Sequence, residues 1–308
     1  MTKAEDWRLG LVRTVMTHYC MAPCLWLRFW RQDLALPPTA FGCYLIFRQA
    51  KKLTFGCIFH KVLFYSGVLT CHLTNLMPLC QNFRMKINAD LYQRAVVATD
   101  SLPWQDSPVS GITRRLIERD GGEVARATSI VRYAPGSQFT RHVHELGEEI
   151  LVLTGDLGDE AGQYGPGTYL KNPAGSAHAP YSVQGCTLFV KLRHLDLADQ
   201  EPVMVDTQSA TWYQGLVEGL RVLPLSEFQT QHTALVRWAP GTYFNPHRHY
   251  GGEEIFVIDG VFEDELGRYP AGSWIRSPHL SAHQPFSIEG CTILVKTGHL
   301  PVPESTRV

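Results

Sequence analysis

The sequence predicts an all-β protein built from two tandem copies of one domain, preceded by an irregular N-terminal extension. Three observations predict it. From Met85 onward, runs of Val, Ile, Thr and aromatic residues alternate with Gly, Pro and Asp turns, and no long helical period appears. Long segments recur at a fixed offset of 105: Val131-Arg-Tyr-Ala-Pro-Gly136 matches Val236-Arg-Trp-Ala-Pro-Gly241, and Gly185-Cys-Thr-Leu-Phe-Val-Lys191 matches Gly290-Cys-Thr-Ile-Leu-Val-Lys296. Residues 1–84 share neither property.

The extension comes first in the chain. Residues 1–84 hold 10 Lys+Arg against 3 Asp+Glu, whereas the remaining residues hold 18 against 26. The formal net charge of −1 conceals this asymmetry. Six of the eight cysteines also fall before residue 85. Val62 to Phe83 carries no charged side chain, but Ser66, His72, Asn75, Pro78, Gln81 and Asn82 make it a poor membrane span. Glu5 and Asp6 near the start argue against a signal peptide. Cys20 and Cys24, with His18, lack the second pair that a zinc site of that kind needs. Residues 1–84 are therefore expected to lie outside the functional fold.

The chain of 308 residues has room for two domains after this extension. The expected boundaries are 85–195 and 196–308, joined near Asp196–Gln208. Upstream, Trp104 and Gly111 match Trp212 and Gly219 at an offset of 108; the three extra residues fall at the turn-like Asp120-Gly121-Gly122. An indel in a turn, with strands kept in register, is the mark of a duplicated domain. A period this long excludes a solenoid, whose repeats span about 20–50 residues. Cys186 and Cys291 recur in Gly-Cys-Thr segments that start apolar runs, and they read as buried thiols of a reducing compartment, the cytoplasm.

The chemistry sits in one stretch that occurs twice. Gly136, His142, His144, Glu148 and Gly155 share their spacing with Gly241, His247, His249, Glu253 and Gly260, and His178 and His283 follow at equal distances. Residues i and i+2 of a strand point to one face, so each His-x-His pair aims two imidazoles the same way, with Val143 and Arg248 facing the other way. Glu145-Leu-Gly147 and Tyr250-Gly-Gly252 read as tight turns that return Glu148 and Glu253 on a neighbouring strand. Three imidazoles and a carboxylate in one place suit a divalent transition metal. A buried carboxylate with no cation would be costly. Zinc or iron heads the set, with nickel and manganese also compatible. By the same alternation Glu149 and Glu254 should point outward into solvent. Phe139, Tyr181, Phe244 and Phe286 read as barrel core or pocket wall, and His279 as a surface residue.

At these residues the chain resembles the cupin superfamily. The first cupin motif is complete in both copies. The second is nearly so at Gly167, Pro173, Gly175 and His178, with Ser182 for the final Asn. In the second copy it reads Gly272, Pro278, Leu280, His283 and Ser287, and Leu280 in place of a turn glycine predicts a differently shaped loop before His283. The Ala-Pro-Gly lead-in, the Gly-Glu-Glu-Ile strand and the Gly-Cys-Thr ending resemble the ChrR-like cupins. That resemblance implies two jelly-roll barrels, with His142, His144, Glu148 and His178 as metal ligands in the first and His247, His249, Glu253 and His283 in the second. It also allows a homodimer joined through edge strands.

Two functions follow from the resemblance. ChrR-like proteins include the zinc-binding sensor half of an anti-sigma factor and are similar to bicupin dioxygenases that cleave β-diketones. The first implies a ligand- or oxidant-responsive zinc module. The second implies a non-haem metal dioxygenase acting on a small diketone or aromatic ketone. The zinc motif of the anti-sigma helical domain is not matched by residues 1–84, so anti-sigma activity is not carried over. Residues 85–308 show no Ser-His-Asp order, phosphate loop or basic-aromatic surface. The expected partner is a small molecule, with neither nucleic acid nor membrane.

Overall fold

A computed structural model describes residues 85–306 and, before them, the strands Leu63–Tyr65 and Val68–Thr70. Those two strands pair antiparallel. The other sequence expectations for residues 1–84, including Cys20, Cys24 and His18, lie outside the described residues.

Every regular element from Met85 on is a strand or a single 3-10 turn. Among the described residues no helix is long and apolar enough to cross a membrane. The first large sheet runs in the order Val203–Asp206, Thr168–Asn172, Glu148–Gly155, Cys186–Leu192, Ala125–Tyr133, Ile112–Gly121 and Met85–Ile87. The second runs Tyr213–Gln214, Leu220–Phe228, Gln231–Trp238, Cys291–Thr297, Glu253–Asp264, Ser273–Ser277 and Ala95–Ala98. All pairings are antiparallel, and short strands complete each barrel.

The two large sheets exchange their edges. Val203–Asp206 follows the first copy in sequence yet pairs with Thr168–Asn172 of the first sheet. Ala95–Ala98 precedes the first copy's long strands yet pairs with Ser273–Ser277 of the second. Packing on the shared core accompanies the exchange. Ala95, Val97, Val203 and Val205 turn one face of each short strand onto the core shared by the barrels, and their neighbours face outward.

The same alternation sorts the whole core. Along Glu148–Gly155, Ile150 and Val152 point into the first barrel, while Leu151 points out of it. Leu151 does not reach solvent. It joins Ile117, Ile130 and Phe189 against Leu235, Phe256 and Leu294 of the second barrel. Phe189 and Phe256 stack with ring centroids 4.7 Å apart. Burying each such side chain contributes about 1.5–3 kcal/mol, so the barrels are sealed face to face.

Each central strand carries a bulge, between Val152 and Thr154 and again between Val257 and Asp259. A bulge bends a strand and raises its twist. Here it carries the chain from the large sheet to the short strands that roof the barrel. Gly155 and Gly260 close the bend at φ 71° each. A Cβ on Gly155 would lie 2.0 Å from the Gly185 carbonyl oxygen, and one on Gly260 would lie 2.1 Å from that of Gly290. The repeated motif therefore ends in glycine because two backbones cross there.

Candidate metal centres

Each barrel brings its four sequence-predicted ligands to one place. His142 lies opposite His178 in a two-stranded ladder, and His247 lies opposite His283 in its counterpart. Val143 and Arg248 face outward, as alternation requires. His144 and His249 directly follow the strands His142–Val143 and His247–Arg248, and the turn after them passes through Gly147 at φ 69°, or through Gly251 and Gly252 at φ 69° and 71°. Glu148 and Glu253 then begin the central strands.

The ring centroids of His142, His144 and His178 lie 4.8–5.3 Å apart, and those of His247, His249 and His283 lie 4.6–4.9 Å apart. In the second barrel one donor atom from each of His247, His249, Glu253 and His283 falls within 4.8 Å of all the others. In the first, the three imidazoles form such a group. Glu148 stands beside it, with Oε2 3.3 Å from His144 Nδ1 and 3.5 Å from His178 Nε2. Asn172 donates to that oxygen at 3.1 Å; the equivalent position in the second barrel is Ser277.

These residues suit a cation. Nε2 of His144, His178, His249 and His283 is buried without a hydrogen-bond partner. His142 and His247 donate Nδ1–H to the carbonyls of Thr140 and Asn245 at 3.0 and 2.9 Å, which leaves their Nε2 lone pairs free. Burial, then the neighbouring imidazoles, push His144 and His249 down to about 3, so both rings are neutral donors at pH 7. Burial pushes Glu148 up to about 8 and Glu253 to about 7. A divalent ion among them would supply the positive charge that these carboxylates otherwise lack.

The loop before His283 departs from expectation. Leu280 adopts the left-handed φ of 61° where Gly175 has 85°. Its N–H still donates to the His249 carbonyl at 2.9 Å, matching Gly175 and His144 at 2.8 Å. The loop shape is kept, and leucine accepts a strain of about 1–2 kcal/mol. His279 also does more than sit on the surface: its Nδ1 accepts the Gly251 N–H at 2.9 Å, and its ring meets Tyr250 edge-on at 4.9 Å. Phe139 and Phe244 pack on the barrel cores and touch the rings of His142 and His247 with centroids 5.6 and 5.1 Å apart. Tyr181 is half-buried over Gly158, and Phe286 stacks on exposed Tyr243 at 5.1 Å.

Glu149 and Glu254 overturn the expectation of solvated side chains, being only 4% and 5% exposed. Alternation does point them out of their own barrels, but the outer face is covered by the other barrel. Glu149 accepts from Lys296, His194 and Tyr169; Glu254 accepts from Lys191, His299 and Trp274. The register that exposed the ligands would also have found this layer, because Lys191 and Lys296, like His194 and His299, are 105 apart. So are Asp159 and Asp264, which the sequence reading passed over.

Comparison with known proteins agrees with this architecture. The ChrR cupin-like domain matches residues 92–196 and again 200–301. No curated protein matches the chain. Among solved structures, one from Nostoc punctiforme described as a candidate dioxygenase is 15% identical, covering 69% of this chain and 85% of that one at a TM-score of 0.58. Protein Ylba from E. coli is 14% identical, covering 74% and 98% at a TM-score of 0.55. At such identities the likeness is one of fold. Two matched domains, spanning more than half of its length, make this chain a member of the ChrR cupin-like family.

Proposed function

We propose that the protein is a metal-dependent bicupin: a non-haem dioxygenase acting on a small diketone or aromatic ketone. The observation that carries this reading is the pair of converged imidazole clusters, in which the buried Nε2 atoms of His144, His178, His249 and His283 have no hydrogen-bond partner. His142, His144, Glu148 and His178 would hold one divalent ion, and His247, His249, Glu253 and His283 the other. A bound ion of this class supplies Lewis-acid and redox chemistry to a chelating oxygen ligand. The chain's own residues do the rest. Phe139 and Phe244 set an apolar wall against one histidine of each set. With an ion bound, the buried carboxylates would ionise and supply matching negative charge, and the barrel cores lie behind the rings. Among the described residues Cys186 and Cys291 are buried free thiols, which suits a cytoplasmic setting.

The second reading is a zinc-binding sensor or regulatory module. The four-donor group of the second barrel favours it, because four protein ligands fill a tetrahedral zinc site. Metal analysis of tag-free protein, with oxygen uptake on a β-diketone, separates the two. Iron with substrate-dependent oxygen uptake supports the oxygenase. Two firmly held zinc ions without uptake support the sensor and overturn the first reading.

A further inference from the structure

In both barrels the histidine of the second motif is backed by an aspartate that is not itself among the candidate ligands. Asp159 follows the short strand Leu157–Gly158, and Asp264 ends the strand Glu253–Asp264. Each carboxylate divides its two oxygens between two tasks. Oδ1 of Asp159 accepts the N–H groups of Ala161 and Gly162 at 2.8 and 3.2 Å and the Tyr164 hydroxyl at 2.9 Å. Oδ1 of Asp264 accepts the Leu266 N–H and the Tyr269 hydroxyl, both at 2.9 Å. The turn thus holds each carboxylate fast. The free oxygen, Oδ2, then accepts Nδ1–H of His178 at 3.1 Å or of His283 at 3.3 Å.

This has a chemical consequence. A neutral imidazole carries one proton, and the aspartate draws it to Nδ1. The lone pair is then fixed on Nε2, which in both His178 and His283 is buried without a hydrogen-bond partner and lies 3.5 Å from the carboxylate of Glu148 or Glu253. We propose that Asp159 and Asp264 are positioning residues that lock His178 and His283 in the Nδ1–H tautomer and aim Nε2 at a bound divalent metal. The proposal rests on the metal-binding reading above. The geometry occurs twice, on elements related by the same offset of 105, so one accidental rotamer does not explain it. The second barrel adds a layer: Arg94 donates to the Tyr269 hydroxyl at 2.6 Å, so that this hydroxyl accepts from Arg94 while donating to Asp264.

The test uses tag-free full-length protein and zinc, with affinity at each centre measured by chelator competition. Removing an outer partner of a metal-ligating histidine lowers affinity about 10–100-fold. D159A should therefore weaken the first centre by that factor and leave the second unchanged, while D264A should do the reverse. D159N, which keeps an acceptor oxygen, should recover part of the loss and stands in if D159A fails to fold. R94A should weaken only the second centre, and by less. Histidine-ring nitrogen NMR of metal-free protein should show His178 as the Nδ1–H tautomer in the wild type and as a mixture in D159A. A purely structural role would instead lower the melting temperature of the metal-free protein and leave the zinc affinity of the folded fraction intact. Unchanged affinity and unchanged tautomer in D159A would overturn the positioning role while leaving metal binding in place. Wild-type protein that takes up no zinc, iron, nickel or manganese overturns the metal reading and this role with it.

Discussion

Lys296 of the second barrel places its ammonium 2.9 and 3.0 Å from the two carboxylate oxygens of Glu149 in the first. The arrangement is mirrored by Lys191, whose ammonium lies 2.7 and 2.9 Å from the oxygens of Glu254. Burial alone would raise the pKa of Glu149, but Lys296 and His194 prevail and hold it well below the usual carboxylate range. Two reciprocal ion pairs thus lie buried in the face that joins the barrels.

Breaking one pair should be costly. Lys296→Met leaves Glu149 charged and buried, and removing one partner of such a pair costs about 3–5 kcal/mol. The double variant Glu149→Gln/Lys296→Met should recover much of the loss, because no lone charge remains. Urea midpoints of the three proteins check this. A single variant within about 1 kcal/mol of wild type would mean that water reaches Glu149.

His194 makes this layer sensitive to acid. Burial pushes it down to about 4, against the pull of Glu149. The unfolded chain, with His near 6.5, binds the extra proton between pH 6.5 and pH 4 while the folded chain refuses it. Stability should therefore fall as pH drops through that window, by about 2 kcal/mol from this residue between pH 6.5 and 5. Metal-free wild type should lose that much more than metal-free His194→Gln when urea midpoints at pH 7 and pH 5 are compared. Equal losses would show that His194 does not titrate differently on folding.

Two glycines with similar backbone angles should respond unequally. Gly175 has open space where a Cβ would go, so Gly175→Leu should cost only the left-handed strain of about 1–2 kcal/mol, as Leu280 already does in the second barrel. Gly155→Ala forces a methyl to within 2.0 Å of the Gly185 carbonyl oxygen and should cost more than Gly175→Leu. Thermal or urea unfolding of both variants ranks them, and the reverse order would contradict the crossing of backbones at Gly155.

Ligand removal should act on one barrel at a time. His144→Ala should reduce bound zinc from two ions to one, and His249→Ala should remove the other. Because a ligand that binds only the folded state stabilises by mass action, zinc at 100 times its Kd should add about 2.7 kcal/mol per occupied site. Each single variant should keep half of that gain. Loss of both ions from either variant would show that the centres are coupled.

The ligand sets were legible because chemistry and period coincide there: His-x-His alternation places His142 beside His144, and a turn at Gly147 returns Glu148. The β class was legible from the same alternation. Glu149 was misread because alternation says only that a side chain leaves its own barrel, not what covers it outside. Asp159 was passed over because a residue that grips a ligand through its far nitrogen has no motif spacing, although its repeat at Asp264 was available. The edge strands Ala95–Ala98 and Val203–Asp206 could not be assigned, since four alternating residues fit either sheet equally well and only the closed core decides between them.

That crossing of arms ties the two halves of the chain to each other. Cutting the chain between the copies should then free neither barrel: each fragment would keep its neighbour's arm and lack its own, and the halves should be recovered together from a sizing column.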